Sequence, residues 1–165
     1  MTGRRGHNGF TLVESLVAAV VLAIAVVAIS VAVSSGHMQS YDAVRGRRAI
    51  RLAEEMMEFI LALPYDDPQG ASLPGPEADE PQRSDFDNMD DFDGYVDPPG
   101  PPTDMHGIAY GQEYEGLSRS VTAQYGSETL SALGCTVPGL TVTVAVCDPK
   151  GRIWQVSRFV PKPTD

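Results

Sequence analysis

The stretch Gly9-Phe10-Thr11-Leu12-Val13-Glu14-Ser15 starts an apolar run that continues to Val33. From Leu16 to Ile29 no side chain is polar. A helix that crosses a bilayer needs roughly 20 mostly apolar residues, so the run is long enough to span one. Glu14 is its anomaly. An ionisable group inside a membrane helix costs on the order of 2.5–3.5 kcal/mol on insertion scales, and it calls for a partner. A short polar leader, with Arg4 and Arg5, precedes the run and ends at Gly9.

These residues resemble the N-terminus of the type IV pilin-like superfamily, which holds type IV pilins, minor pilins and the pseudopilins of type II secretion. The resemblance implies that a prepilin peptidase cuts after Gly9 and that the new N-terminal residue, Phe10, is N-methylated. It also implies that Glu14 meets the N-terminal amine of a neighbouring subunit in a filament core. The physics agrees. Removing the leader creates a cation at Phe10, and an otherwise unpaired buried anion gains a partner. The implied partners are the prepilin peptidase/N-methyltransferase, other pilin or pseudopilin subunits and an inner-membrane assembly platform. A plain secretory signal fits less well. Such a signal has an apolar core of about 7–15 residues and a small-residue cut site after it. Ala28-Ile29-Ser30 is a loose match, but the run is too long and Glu14 interrupts its start.

The formal net charge is −10, which argues against a general nucleic-acid binder, because that role needs a basic face. Arg4 and Arg5 precede the run, while Ser34 to Val44 contains no Lys or Arg. By the positive-inside bias the N-terminus stays cytoplasmic and the remainder lies outside. The expected location is a single-pass inner-membrane protein, then a periplasmic filament or a surface pilus after assembly.

Five segments follow in order: a leader at 1–9, a membrane or filament-core helix at 10–33, its amphipathic continuation at 34–63, an acidic Pro-rich loop at 64–104 and a β-sheet part at 105–165. In the continuation, Met38, Tyr41, Ala49, Leu52, Ala53, Met56, Ile60 and Leu63 recur at steps of three and four and form one apolar stripe. Arg47, Arg51, Glu54, Glu55 and Glu58 fall mainly on the other side. Gly36 and Gly46 are the expected weak points, and Pro64 is the stop.

The acidic segment holds nine of the thirteen prolines, with Arg83 its sole cation between Pro64 and Thr103. That composition predicts a solvated loop. Asp85, Asp87, Asp90, Asp91 and Asp93, with Gly94, also invite a calcium reading, since Ca²⁺ takes several oxygens from a flexible loop. The EF-hand pattern fails. With Gly94 as the loop glycine, Met89 falls in the first ligand slot and Gly100 where a bidentate Glu belongs. The resemblance adds that some pseudopilins carry calcium in this region, and that Asp90-Asp-Phe-Asp-Gly-Tyr95 is structural in minor pilin-like chains. Phe86, Phe92 and Tyr95 interleave with the acids and are placed to pin the loop to the domain. His37 and His106 form no spaced set with cysteine, so zinc is not expected. No nucleophile constellation suggests an enzyme.

From Leu117 the period becomes two. Leu117, Arg119, Val121, Ala123 and Tyr125 share one phase, and so do Leu140, Val142, Val144 and Val146. Asp148-Pro-Lys-Gly151 reads as a turn, and Ile153 to Val160 as the partner strand. The fold class is α+β, with a long N-terminal helix on a small antiparallel sheet of three or four strands, the fourth at Ile108 to Tyr114. Cys135 and Cys147 are the only cysteines, and an oxidising compartment predicts a disulfide between them.

The expected function is a structural filament subunit, a minor pilin or pseudopilin. The rival is a non-polymerising, membrane-anchored binding domain whose acidic loop takes calcium or a basic partner.

Overall fold

The computed structural model describes residues 11–70, 74–98, 100–132 and 134–164. Two compact units divide the chain, Met1–Val44 and Arg45–Asp165. Helix α1, Leu12–Leu61, begins in the first and ends in the second. Strands β1 (Ser118–Leu130), β2 (Cys135–Cys147) and β3 (Ile153–Pro161) form one antiparallel sheet in the order β1-β2-β3. This is an α+β fold, with the C-terminal part of the helix packed on a three-stranded sheet.

α1 ends where Pro64 requires. Its last turn tightens, with the amides of Ala62 and Leu63 donating to the carbonyls of Phe59 and Ile60 at 3.1 Å. The stripe residues Ala49, Leu52, Ala53, Met56 and Ile60 are buried, joined by Met57, and Leu63 packs at the edge of the core. Met38 and Tyr41 depart from the expected stripe and are exposed. The helix continues through both glycines. Gly46 serves packing and makes no break, because a Cβ there would stand 3.2 Å from Nε1 of Trp154.

The strand phase sets the other half of the core. Leu117, Val121, Ala123, Leu140, Val142, Val144 and Val146 are all buried and join the helix residues in one cluster. The hairpin turn forms as the sequence predicts. The Gly151 amide bonds to the Asp148 carbonyl at 2.9 Å, and Gly151 takes the left-handed φ of 76°. The Asp148 carboxylate accepts from the amides of Lys150 and Arg152 and from the Arg152 side chain, and it pairs with Arg45 of α1 at 3.4 Å. Burial opposes ionisation of Asp148. These bonds and the Arg152 charge outweigh it and hold the carboxyl below its ordinary range.

No fourth strand forms at Ile108 to Tyr114. That segment makes one isolated bridge, Thr103 to Ala109, and a 3-10 turn at Gln112–Tyr114. The outer edge of β1 is already met by the acidic loop. The Gly94 amide donates to Val121 O at 3.1 Å, the Val121 amide to Tyr95 O at 2.9 Å and the Asp97 amide to Arg119 O at 2.9 Å. An edge satisfied in this way offers no ladder to a further strand.

The acidic loop departs most from expectation. Its composition predicts a solvated segment, yet Glu80, Asn88, Asp90, Asp91 and Asp97 are buried. Phe92 is fully buried, and Phe59, Phe86 and Tyr95 stand edge-on to it with ring centroids 5.0–6.0 Å away. Aromatic burial of this kind supplies the apolar area that the acids cannot. Replacing such a ring by alanine typically costs about 3–5 kcal/mol.

The cysteines are not bridged. Both are free and exposed, and they occupy opposite ends of β2. Twelve steps of extended chain separate them by roughly 40 Å at about 3.3 Å per residue. A disulfide needs Cα atoms within about 7 Å, so the strand itself forbids the expected bond.

Candidate functional site

Two places carry the functional expectations, and each lies in its own unit. The first is the start of α1. Gly9 and Phe10, the expected cut and methylation positions, lie outside the described residues. Thr11 caps the helix. Its hydroxyl oxygen accepts from the Glu14 amide at 3.3 Å, and its carbonyl accepts the Ser15 amide at 3.1 Å. Thr11-x-x-Glu14 is thus the spacing of a capping box, a signal the sequence reading missed. A carboxylate in the first turn is also favoured by the helix dipole. Glu14 itself is exposed, and among the described residues no salt bridge reaches it.

Behind Glu14 the helix is apolar and open. Leu16, Val20, Ile24, Val27 and Val31 are each more than half exposed. The most apolar 18-residue window has a mean hydropathy of 3.1, and none of it is buried. The hydroxyls near this run are satisfied within the helix. Ser15 and Ser30 donate to the carbonyls of Thr11 and Val26, at 3.3 and 2.8 Å. A helix with no outward polar demand is suited to lipid or to the apolar flank of another helix.

The second place is the acidic loop. The five aspartates expected as ligands do not gather into one set. Asp85 is exposed and meets the Ser84 hydroxyl at 3.2 Å. Asp87 Oδ2 accepts from the Gln69 side chain at 2.8 Å. Asp93 Oδ1 accepts from the Ala123 amide at 2.8 Å and so closes the edge of β1. Asp91 Oδ2 accepts from the amides of Asp87 and Asn88, both at 2.9 Å. Burial pushes the Asp90 carboxyl up, against opposing bonds that include one from the Tyr125 hydroxyl. Asx-type bonds of this sort let short acids fold a loop on itself.

A different set converges. One carboxylate oxygen from each of Glu77, Glu80 and Asp91 lies within 4.8 Å of the others. The Glu80 amide bonds to the Glu77 carbonyl at 3.1 Å, and this turn, between Pro76 and Pro81, puts the two glutamates side by side. The 3-10 turn Asp90–Phe92 brings Asp91 to them. Burial, helped by a hydrogen bond with the Glu77 side chain and by the charges of Asp91 and Asp87, pushes the Glu80 carboxyl up to about 7 against the bond it accepts from the Glu77 amide at 3.3 Å. Glu77 and Glu80 stood outside the expected ligand set. Their spacing of three between prolines was the available signal.

A further buried ion pair was half visible. Arg119 sits in the inward phase of β1, only 1 % exposed. Its Nε and Nη2 donate to both oxygens of Asp97 at 2.9 Å, its amide bonds to the same carboxylate, and Thr103 O accepts from Nη2 at 2.5 Å. This bidentate arrangement ties the loop to the sheet. His106 serves a turn, its amide bonded to Asp104 at 2.9 Å, and His37 is exposed.

Searches for similar curated proteins and for similar solved structures matched nothing. A family model does match. Residues 4–30 fit the one described as the prokaryotic N-terminal methylation motif, so the chain carries a prepilin-type N-terminus, consistent with the type IV pilin-like superfamily.

Proposed function

We propose that this protein is a structural subunit, a minor pilin or pseudopilin, of a type IV pilus or a type II secretion-like filament. It is a substrate of the prepilin peptidase and not itself an enzyme. The peptidase removes residues 1–9, Phe10 is methylated, and the apolar half of α1 holds the chain in the inner membrane with the remainder outside the cytoplasm. An assembly platform then passes it into a filament, where that half packs against other subunits. Glu14 pairs with the methylated amine of a neighbour.

One observation carries the reading. The methylation motif at residues 4–30 runs directly into a helix whose apolar side chains are exposed from Leu12 to Val33. Exposed apolar surface of this extent needs a lipid or protein cover. The acidic loop favours a minor subunit over a major one, because a densely repeated subunit would stack like charges along the shaft.

Intact-mass and N-terminal analysis of the protein from its native membrane fraction tests this. The expected species begins at Phe10 and carries one extra methyl group. A chain that retains Met1, or one cut near Ser30, would remove the filament reading and leave a membrane-anchored or secreted acidic domain.

A further inference from the structure

We infer that the outward face of α1 between Arg47 and Glu58 docks on the same face of a second copy of this chain. The two helices lie parallel and are shifted by seven residues, so that Arg47 and Arg51 of one copy meet Glu54 and Glu58 of the other. The parallel sense rests on the filament reading, in which every copy enters one membrane in the same direction. The pairing rests on charges in the globular unit.

The charged side chains of this stretch divide by face. Those turned inward are committed. Arg45 pairs with Asp148 at 3.4 Å, Arg48 donates to Glu113 O at 3.3 Å, and Glu55 accepts from the Tyr110 hydroxyl. Arg47, Arg51, Glu54 and Glu58 are exposed, and among the described residues no side-chain hydrogen bond or salt bridge engages any of the four.

Local energetics disfavour the order of these four charges. Arg47 and Arg51 are like charges four residues apart, and so are Glu54 and Glu58; such pairs destabilise a helix. Glu58 stands in the last turn, which holds no basic residue, so it meets the negative end of the helix dipole. An arrangement serving the helix itself would run the other way, acid before base. The chain alone gains nothing from the order it has.

Spacing and sign select the occupant. Arg47, Arg51, Glu54, Glu58 and Leu61 recur at alternating steps of four and three, the spacing of a seam along which two helices pack side by side. Two parallel copies in register would set arginine against arginine and glutamate against glutamate. A shift of one heptad, about 10.5 Å along the axis, instead sets the cations of one copy against the anions of the other. The contact is then head-to-tail, the kind that builds open helical filaments.

The test uses the full chain reconstituted in phospholipid vesicles. Arg47→Lys with Arg51→Lys keeps both charges and supplies amines for a carbodiimide, which joins an amine to a carboxylate only where they touch. Isotope-labelled and unlabelled chains are mixed, so that mass spectrometry separates links between copies from links within one. Links from position 51 of one copy to Glu58 of the other, and from position 47 to Glu54, are expected. Their yield should fall about threefold or more when salt is raised to about 0.5 M. Arg47→Glu with Arg51→Glu should lower co-purification of two differently tagged copies about tenfold, and so should Glu54→Arg with Glu58→Arg. Mixing the two reversed chains should restore it. Links from position 51 to Glu54 and from position 47 to Glu58 would mean an antiparallel pair and overturn the shift. Links within single chains only, or reversed chains that co-purify as well as the unmodified one, would overturn the interface. Processing is read separately on the native protein. A chain that begins at Phe10 but forms no link between copies sinks this inference and leaves the filament reading. A linked chain that retains Met1 does the reverse.

Discussion

The most apolar part of this chain is exposed, and the most acidic part holds most of the buried carboxylates. Residues 12–33 of α1 contribute nothing to the core, whereas Asp90, Asp91 and Asp97 are at most 7 % exposed. The two regions differ in what each demands of its surroundings. The apolar helix satisfies its backbone internally and lacks only cover for its side chains. The loop has irregular backbone whose amides need acceptors, and short carboxylates supply them at Asp87 and Asn88, while others cap the β1 edge amides of Arg119 and Ala123. Hydropathy alone therefore says where water is avoided, but not whether the chain itself or an external partner does the covering.

Charging the exposed helix is the strongest way to break this contrast. Val21→Asp with Ile24→Asp should cost about 5–7 kcal/mol of membrane insertion, at 2.5–3.5 kcal/mol for each carboxylate. The double variant should leave the membrane fraction on alkaline extraction. Its globular unit should unfold at the same denaturant midpoint, followed by the fluorescence of Trp154, the sole tryptophan. A matching fall in that midpoint would mean that the apolar stretch belongs to the folded core.

The converse change acts on the loop. Asp97→Ala strands the Arg119 guanidinium, 1 % exposed, and should lower unfolding stability by about 3–5 kcal/mol. Asp97→Leu with Arg119→Met removes both charges and should recover most of that loss, because a buried pair is often no better than apolar residues of similar volume. Urea denaturation of the three chains decides it. Equal losses in the single and double variants would show that the amide of Arg119 and the carbonyl of Thr103 carry the attachment, and not the ion pair.

Legibility in the sequence followed the range of the interaction. The helix, its stop at Pro64, the strand phase and the Asp148 turn are local patterns, and periodicity or turn chemistry reveals them. Arg119 was visible as a cation in an apolar phase, but its partner lies 22 residues upstream, and no spacing rule connects the two. The acids of 85–93 invited a metal reading by density, whereas the converging set depends on a turn at 77–80 that composition does not show. The cysteine pairing failed for a related reason. The alternating phase read from the sequence begins at Leu140, so Cys135 was not placed on the strand that ends at Cys147, and two ends of one strand passed for two neighbours in space.

The smallest expected energy concerns Glu14, whose two roles are separable at the bench. As a carboxylate in the first turn it favours the start of α1 through the helix dipole, and as the proposed partner of a neighbour's amine it drives assembly. Thr11→Ala removes the hydroxyl that accepts the Glu14 amide and should cost the helix about 1 kcal/mol. Glu14→Gln keeps a side chain of the same shape and gives up about 0.3–1 kcal/mol of dipole interaction. By helix energetics alone the two variants should impair filament yield to a similar and modest extent. Pairing between subunits predicts a split, with sheared filaments lost in Glu14→Gln and retained in Thr11→Ala, while both stay in the membrane. Equal yields would return Glu14 to a purely local role, and the exposed helix would then have to assemble through its apolar side chains alone.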